Sequence, residues 1–328
     1  MLFINNQNIT DPALNLALEE YALRNLPIEN DYLLFYINKP SIIIGKNQNT
    51  AEEVNRDYVE ANGVHVVRRL SGGGAVYHDL GNLNFSFITR DDGKSFSNYR
   101  KFTEPVVQAL HQLGVQAELS GRNDIQVGER KVSGNAQFST KGRMFTHGTL
   151  MLDSQIENVV SALNVNPLKI QSKGFKSVRS RVANISEFLS KPMTITEFRQ
   201  YLLNSIFGGA EPTEYILTEE DWSAVRKLAD ERYRSWDWNY GQSPAFNVHS
   251  MKRLPAGTFD VRLDVVEGYI RGAVIYGDFF GVGDAEEFAA KLTGVKYDTE
   301  ALSQLLEEVD LTHYFGAVTK EEWLGLLL

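Results

Sequence analysis

Residues 11–25 read as a helix that is apolar on two strips, and a helix covered on two sides constrains its surroundings more than any other feature of the chain. Asp11 and Pro12 mark its start, because an aspartate oxygen accepts from first-turn N–H groups and proline fits the first helical position. Leu14, Ala17, Leu18, Tyr21 and Ala22 form one stripe at helical spacing. Leu16 and Leu23 lie seven residues apart and off that stripe. Such a helix is buried between two layers, or it walls a pocket as well as a core.

The order of elements sets the fold class. Strand-like runs at 32–37 and 41–44 precede a helix over 51–62 that ends at Gly63, a position suited to a left-handed cap. A strand over 64–69 runs into a glycine loop at 71–74, and another strand follows at 83–89. The pattern continues with a helix over 99–113 and strands at 115–119, 125–127, 130–133 and 145–152. Helices are then expected at 155–163, 196–207 and 219–233. Hairpins mixed with helices, without strict alternation, point to α+β rather than a doubly wound sheet. Aromatic residues, glycine and proline over 236–244 suggest a boundary, dividing the chain into 1–245 and 246–328. The second part reads as strands at 257–266 and 269–276 with helices at 285–292, 299–308 and 320–327.

Composition removes several function classes. The chain has 328 residues, 43% apolar and 23% charged, which is enough for one large core and a small second one. No run approaches the roughly 18–20 apolar residues of a membrane span. The N-terminal residues lack the charged and apolar regions of a secretory signal, so the cytoplasm is the expected compartment. With no cysteine, the chain cannot pass an acyl group through a protein thioester or hold a metal by thiolates. The net charge of −9 argues against a nucleic-acid-coating protein. Residues 246–328 contain 14 acidic and 7 basic residues, so the larger part is nearly neutral and can carry a basic pocket for an anion.

Three stretches can carry chemistry. The first is Arg68-Arg69-Leu70-Ser71-Gly72-Gly73-Gly74-Ala75-Val76-Tyr77-His78-Asp79. Three glycines without Cβ atoms admit a ligand close to the backbone, and cations with a titratable ring beside them suit a carboxylate or phosphate. A tight turn explains the triplet equally well, and its spacing matches neither common nucleotide loop. The second is Asn123-Asp124 followed by Lys131-Val132-Ser133-Gly134-Asn135-Ala136, read as a lysine on a strand before a small-residue turn. There an ammonium can neutralise charge on a phosphate or acyl oxygen, and Asp124 can hold Mg²⁺. The third is residues 169–181, with Lys169, Lys173, Lys176, Arg179 and Arg181 and no acid, which suits a phosphate-facing loop or a solvated charge run. The six histidines show no metal-ligand spacing, and no G-x-S-x-G elbow is present. His147 reads as a core histidine or a site residue with equal force.

These blocks, with GNLNFSF at 81–87, HGTLML at 147–152, SVRSRVANI at 177–185 and WDWNYG at 236–241, resemble the signature blocks of lipoate–protein ligases. The match runs in order over about the first 245 residues, and the remainder resembles the small C-terminal accessory domain of that family. The resemblance implies a mixed-sheet catalytic domain of the biotin/lipoyl ligase, class II synthetase-like type, followed by a small α/β accessory domain. It implies ATP-dependent conversion of lipoate, or its straight-chain relative octanoate, to an acyl-AMP, with Mg²⁺. Transfer would follow to a lysine of a lipoyl carrier, the E2 subunit of a 2-oxoacid dehydrogenase or the glycine-cleavage H protein. Carried over position by position, Lys131 matches the catalytic lysine. Leu16, Arg69, Gly72, Gly73, Gly74 and His78 match the lipoate pocket. Tyr77, Asn82, Asn123, Ala136, Lys176 and Arg179 match positions around the nucleotide, with Asp124 at the metal. An octanoyl or lipoyl transferase of the same fold needs a cysteine, and a biotin ligase needs a different glycine loop. A transferase that uses preformed lipoyl-AMP and a non-catalytic binding regulator are the remaining alternatives.

Overall fold

A computed structural model describes residues 1–121, 123–163, 181–240, 248–266 and 268–328. Its centre is a mixed eight-stranded sheet. The strands are β1 (Leu2–Asn5), β2 (Tyr32–Ile37), β6 (Asn82–Arg90), β7 (Ala117–Ser120), β8 (Asp124–Val127), β9 (Arg130–Thr140), β10 (Arg143–Met151) and β11 (Glu214–Tyr215). Their spatial order is β11-β1-β2-β6-β10-β9-β8-β7. Strand β1 runs parallel to both neighbours, and the other pairings are antiparallel.

Both faces of this sheet are buried, which explains the unbroken apolar run of β2. Leu33 and Phe35 point to one core and Tyr32, Leu34 and Tyr36 to the other, as the two-residue period of a strand requires. The first core is covered by α4 (Tyr99–Gln112) and α6 (Ile195–Ile206). The second is covered by α1 (Pro12–Asn25) and α7 (Glu219–Leu228), which continues as a π-helical turn over Ala229–Tyr233. Helix α1 lies between layers as its two strips imply: Leu16, Ala17, Leu18 and Leu23 are all buried. Its buried Glu20 is held by Arg24 (2.6 Å), Arg232 (2.5 Å) and the Tyr233 hydroxyl (2.8 Å).

A smaller sheet of β3 (Ser41–Ile44), β4 (His65–Arg68) and β5 (Val76–His78) packs with α3 (Arg56–Asn62) and α5 (Ile156–Ala162). The glycine loop connects β4 to β5. The helix expected over 51–62 is instead two pieces, α2 (Thr50–Glu53) and α3. Asn55 caps the second piece by accepting from the Tyr58 N–H, and Val54 bridges to Leu163. Gly63 does close α3 in the left-handed region, at φ 60°.

Residues 248–328 carry their own sheet, β12 (Val248–Leu254), β13 (Gly257–Val266) and β14 (Tyr269–Gly277), antiparallel throughout. Helices α8 (Ala285–Leu292), α9 (Thr299–Glu308), α10 (Leu311–Phe315) and α11 (Lys320–Leu327) complete a separate core around Phe259, Phe279, Phe288, Phe315 and Trp323. This unit meets the larger one through a Lys46–Asp284 ion pair of 3.0 Å and two backbone bonds, Gly277 N–H to Asn47 O and Gly73 N–H to Phe279 O. The expected boundary at 245 falls outside the described residues. Among the described residues no helix is long and apolar enough to cross a membrane.

Candidate functional site

A cavity of about 620 Å³, counting space open to solvent, lies where the large sheet, α1, the glycine loop and the C-terminal unit meet. Leu16, Tyr36, Ile43 and Val76 give it apolar walls. Gly73, Gly74 and His78 come from the loop and β5, Asn123 and Lys131 from the β8–β9 region, and Ala136, His147 and Gly148 from the paired strands β9 and β10. Phe280 of the C-terminal unit also lines it.

Lys131 owes its position to an irregularity. Register shifts between Ile125 and Gln126, so that Gln126 faces Lys131 while Ile125 faces Ser133. Val132 is the extra residue, and such a bulge re-aims the side chains beside it. The Lys131 ammonium pairs with Asp124 at 2.8 Å, with about a third of the lysine side chain exposed. A Cβ built on Gly134 would lie 2.8 Å from the Lys131 amine, so the lysine lies across a glycine left bare for it. The stretch after Lys131 is not the turn expected from its small residues. It is continuous strand to Thr140, with Gln137 donating to Thr146 (2.8 Å) and Asn135 Nδ2 to Ser133 (3.2 Å), while Asn135 Oδ1 is buried without a partner. Gly134→Ala will leave thermal stability within about 0.5 kcal/mol of the parent and slow ligation at least several-fold, since only the flexible end of a lysine must shift. Calorimetric melting with a turnover assay checks both halves.

The two arginines before the loop build the site rather than present free charge to it. Arg68 donates to the carbonyls of Gly45, Lys46, Gln48, Trp238 and Asn239 and to the Thr50 hydroxyl. It thereby clamps three chain segments together. Arg69 lines the cavity yet donates to Ser71 Oγ and to the carbonyls of Ile43, Gly72 and Gly74, stapling the loop to itself. Burial lowers both guanidinium pKa values to about 10, which leaves them charged at neutral pH.

The glycine triplet is enforced largely by the C-terminal unit. A Cβ on Gly72 would sit 2.5 Å from Phe279 O, and one on Gly73, at φ +89°, would sit 2.6 Å from the Phe280 ring. The Gly73 amide donates to Phe279 O at 3.3 Å, so it is committed to the C-terminal unit. Gly72 does not line the cavity, whereas Gly73 and Gly74 do.

Two buried histidines face the same space. His147 Nδ1 lies 3.0 Å from the Glu19 carboxylate and its Nε2 lies 2.7 Å from Ser71 Oγ, tying α1, β10 and the loop together. His78 Nδ1 meets the Asn38 amide at 3.0 Å, and its Nε2 is buried with no partner. Burial, reinforced by the charge of Arg69 and the neighbouring His147, lowers the His78 pKa to about 3, so the ring is neutral.

Of the residues assigned from sequence, Lys131, Leu16, Arg69, Gly73, Gly74, His78, Asn123 and Ala136 line the cavity together. Tyr77 is instead packed in the small-sheet core, and Asn82 is buried beside the cavity, donating to Asn84 Oδ1 at 3.1 Å. Asp124 reaches the site through its ion pair with Lys131. Lys176 and Arg179 lie outside the described residues. Arg181 and Val182 follow that stretch, and Val182 bridges to Lys131, so the chain returns beside the lysine. Tyr36, Ile43, Asn84, Asn135, Thr149 and Phe280 were not anticipated. Tyr36 and Ile43 look like ordinary core residues in the sequence, and Phe280 enters from 200 residues away.

A family model for the lipoyl protein ligase A/B catalytic domain matches residues 11–207, and one for the bacterial lipoate protein ligase C-terminus matches 243–327. The chain is 63% identical over 331 residues to lipoate-protein ligase LplJ of Bacillus subtilis and 58% identical over 327 residues to lipoate–protein ligase 1 of Staphylococcus aureus. All of this chain and all of each relative is covered. Among solved structures, P. falciparum LipL1 in complex with lipoate is similar with a TM-score of 0.78 at 28% identity, covering 94% of both chains. A lipoate-protein ligase A bound with ATP gives 0.62 at 33% identity, covering 70% of this chain and 94% of the other. The chain therefore belongs to the lipoate–protein ligase family of enzymes.

Proposed function

We propose that the enzyme activates lipoate with ATP and then acylates a lysine of a lipoyl-carrier protein, with residues 1–245 performing the chemistry and residues 246–328 acting as the accessory domain. The observation that supports this most is that the Lys131 amine and the glycine turn line one largely apolar cavity. A carboxylate is a poor acyl donor because oxide is a poor leaving group. Attack of a lipoate carboxylate oxygen on the α-phosphorus of ATP forms the C–O–P bond of lipoyl-AMP and releases pyrophosphate. The carrier amine then attacks the acyl carbon, forming the amide and breaking the bond to AMP, while the amine proton leaves to solvent.

The first step brings two anions together, so a fixed cation aimed at their junction lowers the barrier. Lys131 has that role, and it also stabilises the oxyanion and the departing AMP in the second step. Asn123 and Ala136 line the cavity with Lys131 and would face the nucleotide, with Asn82 buried against Asn84 and Tyr77 in the small sheet. Lys176 and Arg179 would add charge on the phosphates. The residues fit Mg²⁺ only as a cation carried by phosphate: one oxygen of Asp124 pairs with Lys131, and no group of three acids or histidines is gathered among the described residues. Asp124 would then hold a magnesium ion that neutralises phosphate charge. The carriers proposed are E2 lipoyl domains and the glycine-cleavage H protein, and the compartment is the cytoplasm.

Incubation with lipoate and ATP should release pyrophosphate, and adding a lipoyl domain should give a lipoylated lysine seen by mass spectrometry. Lipoylation from supplied lipoyl-AMP without any pyrophosphate release from ATP would replace the ligase by a transferase. Failure of both steps would remove the proposal.

A further inference from the structure

We propose that His78 distinguishes the dithiolane ring of lipoate from a plain alkyl end by donating its Nε2–H to ring sulfur, and that a buried chain of three asparagines fixes that donor. The proposal rests on the assignment of the cavity to lipoate made above.

The direction of the chain follows from its ends. Asn6 Nδ2 donates to Ile9 O at 2.9 Å, and Asn15 Nδ2 donates to Ile9 O and Ile37 O at 3.0 and 3.2 Å. A carbonyl can only accept, so both amides are oriented. Asn15 Oδ1 accepts from Asn6 (3.0 Å), and Asn15 Nδ2, whose two hydrogens are shared among three acceptors, lies 2.9 Å from Asn38 Oδ1. The Asn38 nitrogen must therefore face His78 Nδ1, at 3.0 Å. Nδ1 is an acceptor, and in a neutral ring the proton sits on Nε2. All three asparagines are at most 2% exposed, so water does not compete for these bonds.

Nε2 lies across the ring from Asn38, on a side chain that is 4% exposed and lines the cavity, and it has no partner. A buried unpaired donor is destabilising, so its retention beside a binding cavity points to a ligand atom as the missing acceptor. Position identifies which atom. The Lys131 side chain, where the proposed activation would occur, is a third exposed, whereas His78 is 4% exposed, and the proposal takes the part of the acid farthest from the carboxylate to lie at His78. In lipoate that part carries two sulfurs, which accept hydrogen bonds weakly, and in octanoate it is a methyl group, which accepts none. A site built around a donor rejects the analogue that leaves the donor unpaired.

Calorimetry with lipoate and octanoate on the whole enzyme, combined with ¹⁵N NMR of the histidine rings, tests the idea. The parent should prefer lipoate, with the His78 proton on Nε2. His78→Phe should lower the ratio of lipoate to octanoate affinity about 10-fold. Asn38→Asp supplies a second route: its carboxylate accepts from Asn15 and from His78, drawing the ring proton to Nδ1, and the same selectivity should fall. A parent ring protonated on Nδ1, an equal loss for both acids in His78→Phe, or selectivity kept in Asn38→Asp with the proton moved would each overturn the proposal. A parent that binds both acids equally overturns the sulfur-reading role and leaves the cavity assignment standing. A parent that binds neither acid overturns the assignment as well.

Discussion

Lys131→Ala will abolish ligation while the protein stays folded. The amine is partly exposed and its bonding partner, Asp124, has about a quarter of its side chain exposed, so little packing is lost on truncation. The transition state loses its cation at the junction of carboxylate and phosphate, worth ~3 kcal/mol or more, or at least 10²-fold in turnover. Pyrophosphate release and transfer from supplied lipoyl-AMP should both fall, because the proposed mechanism uses the same ammonium in both steps. Turnover near the parent level in either assay would take Lys131 out of that step.

Gly73→Val will damage the enzyme in two separable ways. At φ +89° a β-branched side chain is strained, and its Cβ would arrive 2.6 Å from the Phe280 ring. Strain and collision together should cost about 2–4 kcal/mol of stability. Lipoate binding should fall as well, because Gly73 and Phe280 both line the cavity. Adding Phe280→Ala separates the effects, since removing the ring relieves the collision but not the strain or the filled wall. The double variant should regain part of the stability without regaining lipoate affinity. Full recovery of affinity would show that the loop serves domain docking alone.

The sequence was most informative where one physical force dominates. Strands β2 and β3 have the expected bounds because both are buried runs that nothing else in the chain could satisfy. The first helix was legible from its cap and two strips, with the Asp11 side chain accepting from Ala13 and Leu14. Strand β12 escaped because none of its residues is buried, so hydrophobic alternation leaves no trace. Strand β9 was cut short because Ser133, Gly134 and Asn135 have turn-like composition, and only cross-strand partners reveal their extended state.

The site divides similarly. Local blocks brought Lys131, His78 and the glycines onto one cavity, since residues clustered in sequence needed only one loop and one hairpin to converge. The job of each residue was less legible. Arg68 and Arg69 look like anion binders in a sequence, and their commitment to backbone carbonyls depends on chain segments as far away as Asn239. The glycine triplet suggested a ligand, yet much of its necessity comes from Phe279 and Phe280.

The bridges from Val54 to Leu163 and from Lys131 to Val182 fix the described chain on either side of residues 164–180. Because the second bridge is made by the backbone of Lys131, a change that pulls Val182 out of register also pulls on the strand that carries the Lys131 amine.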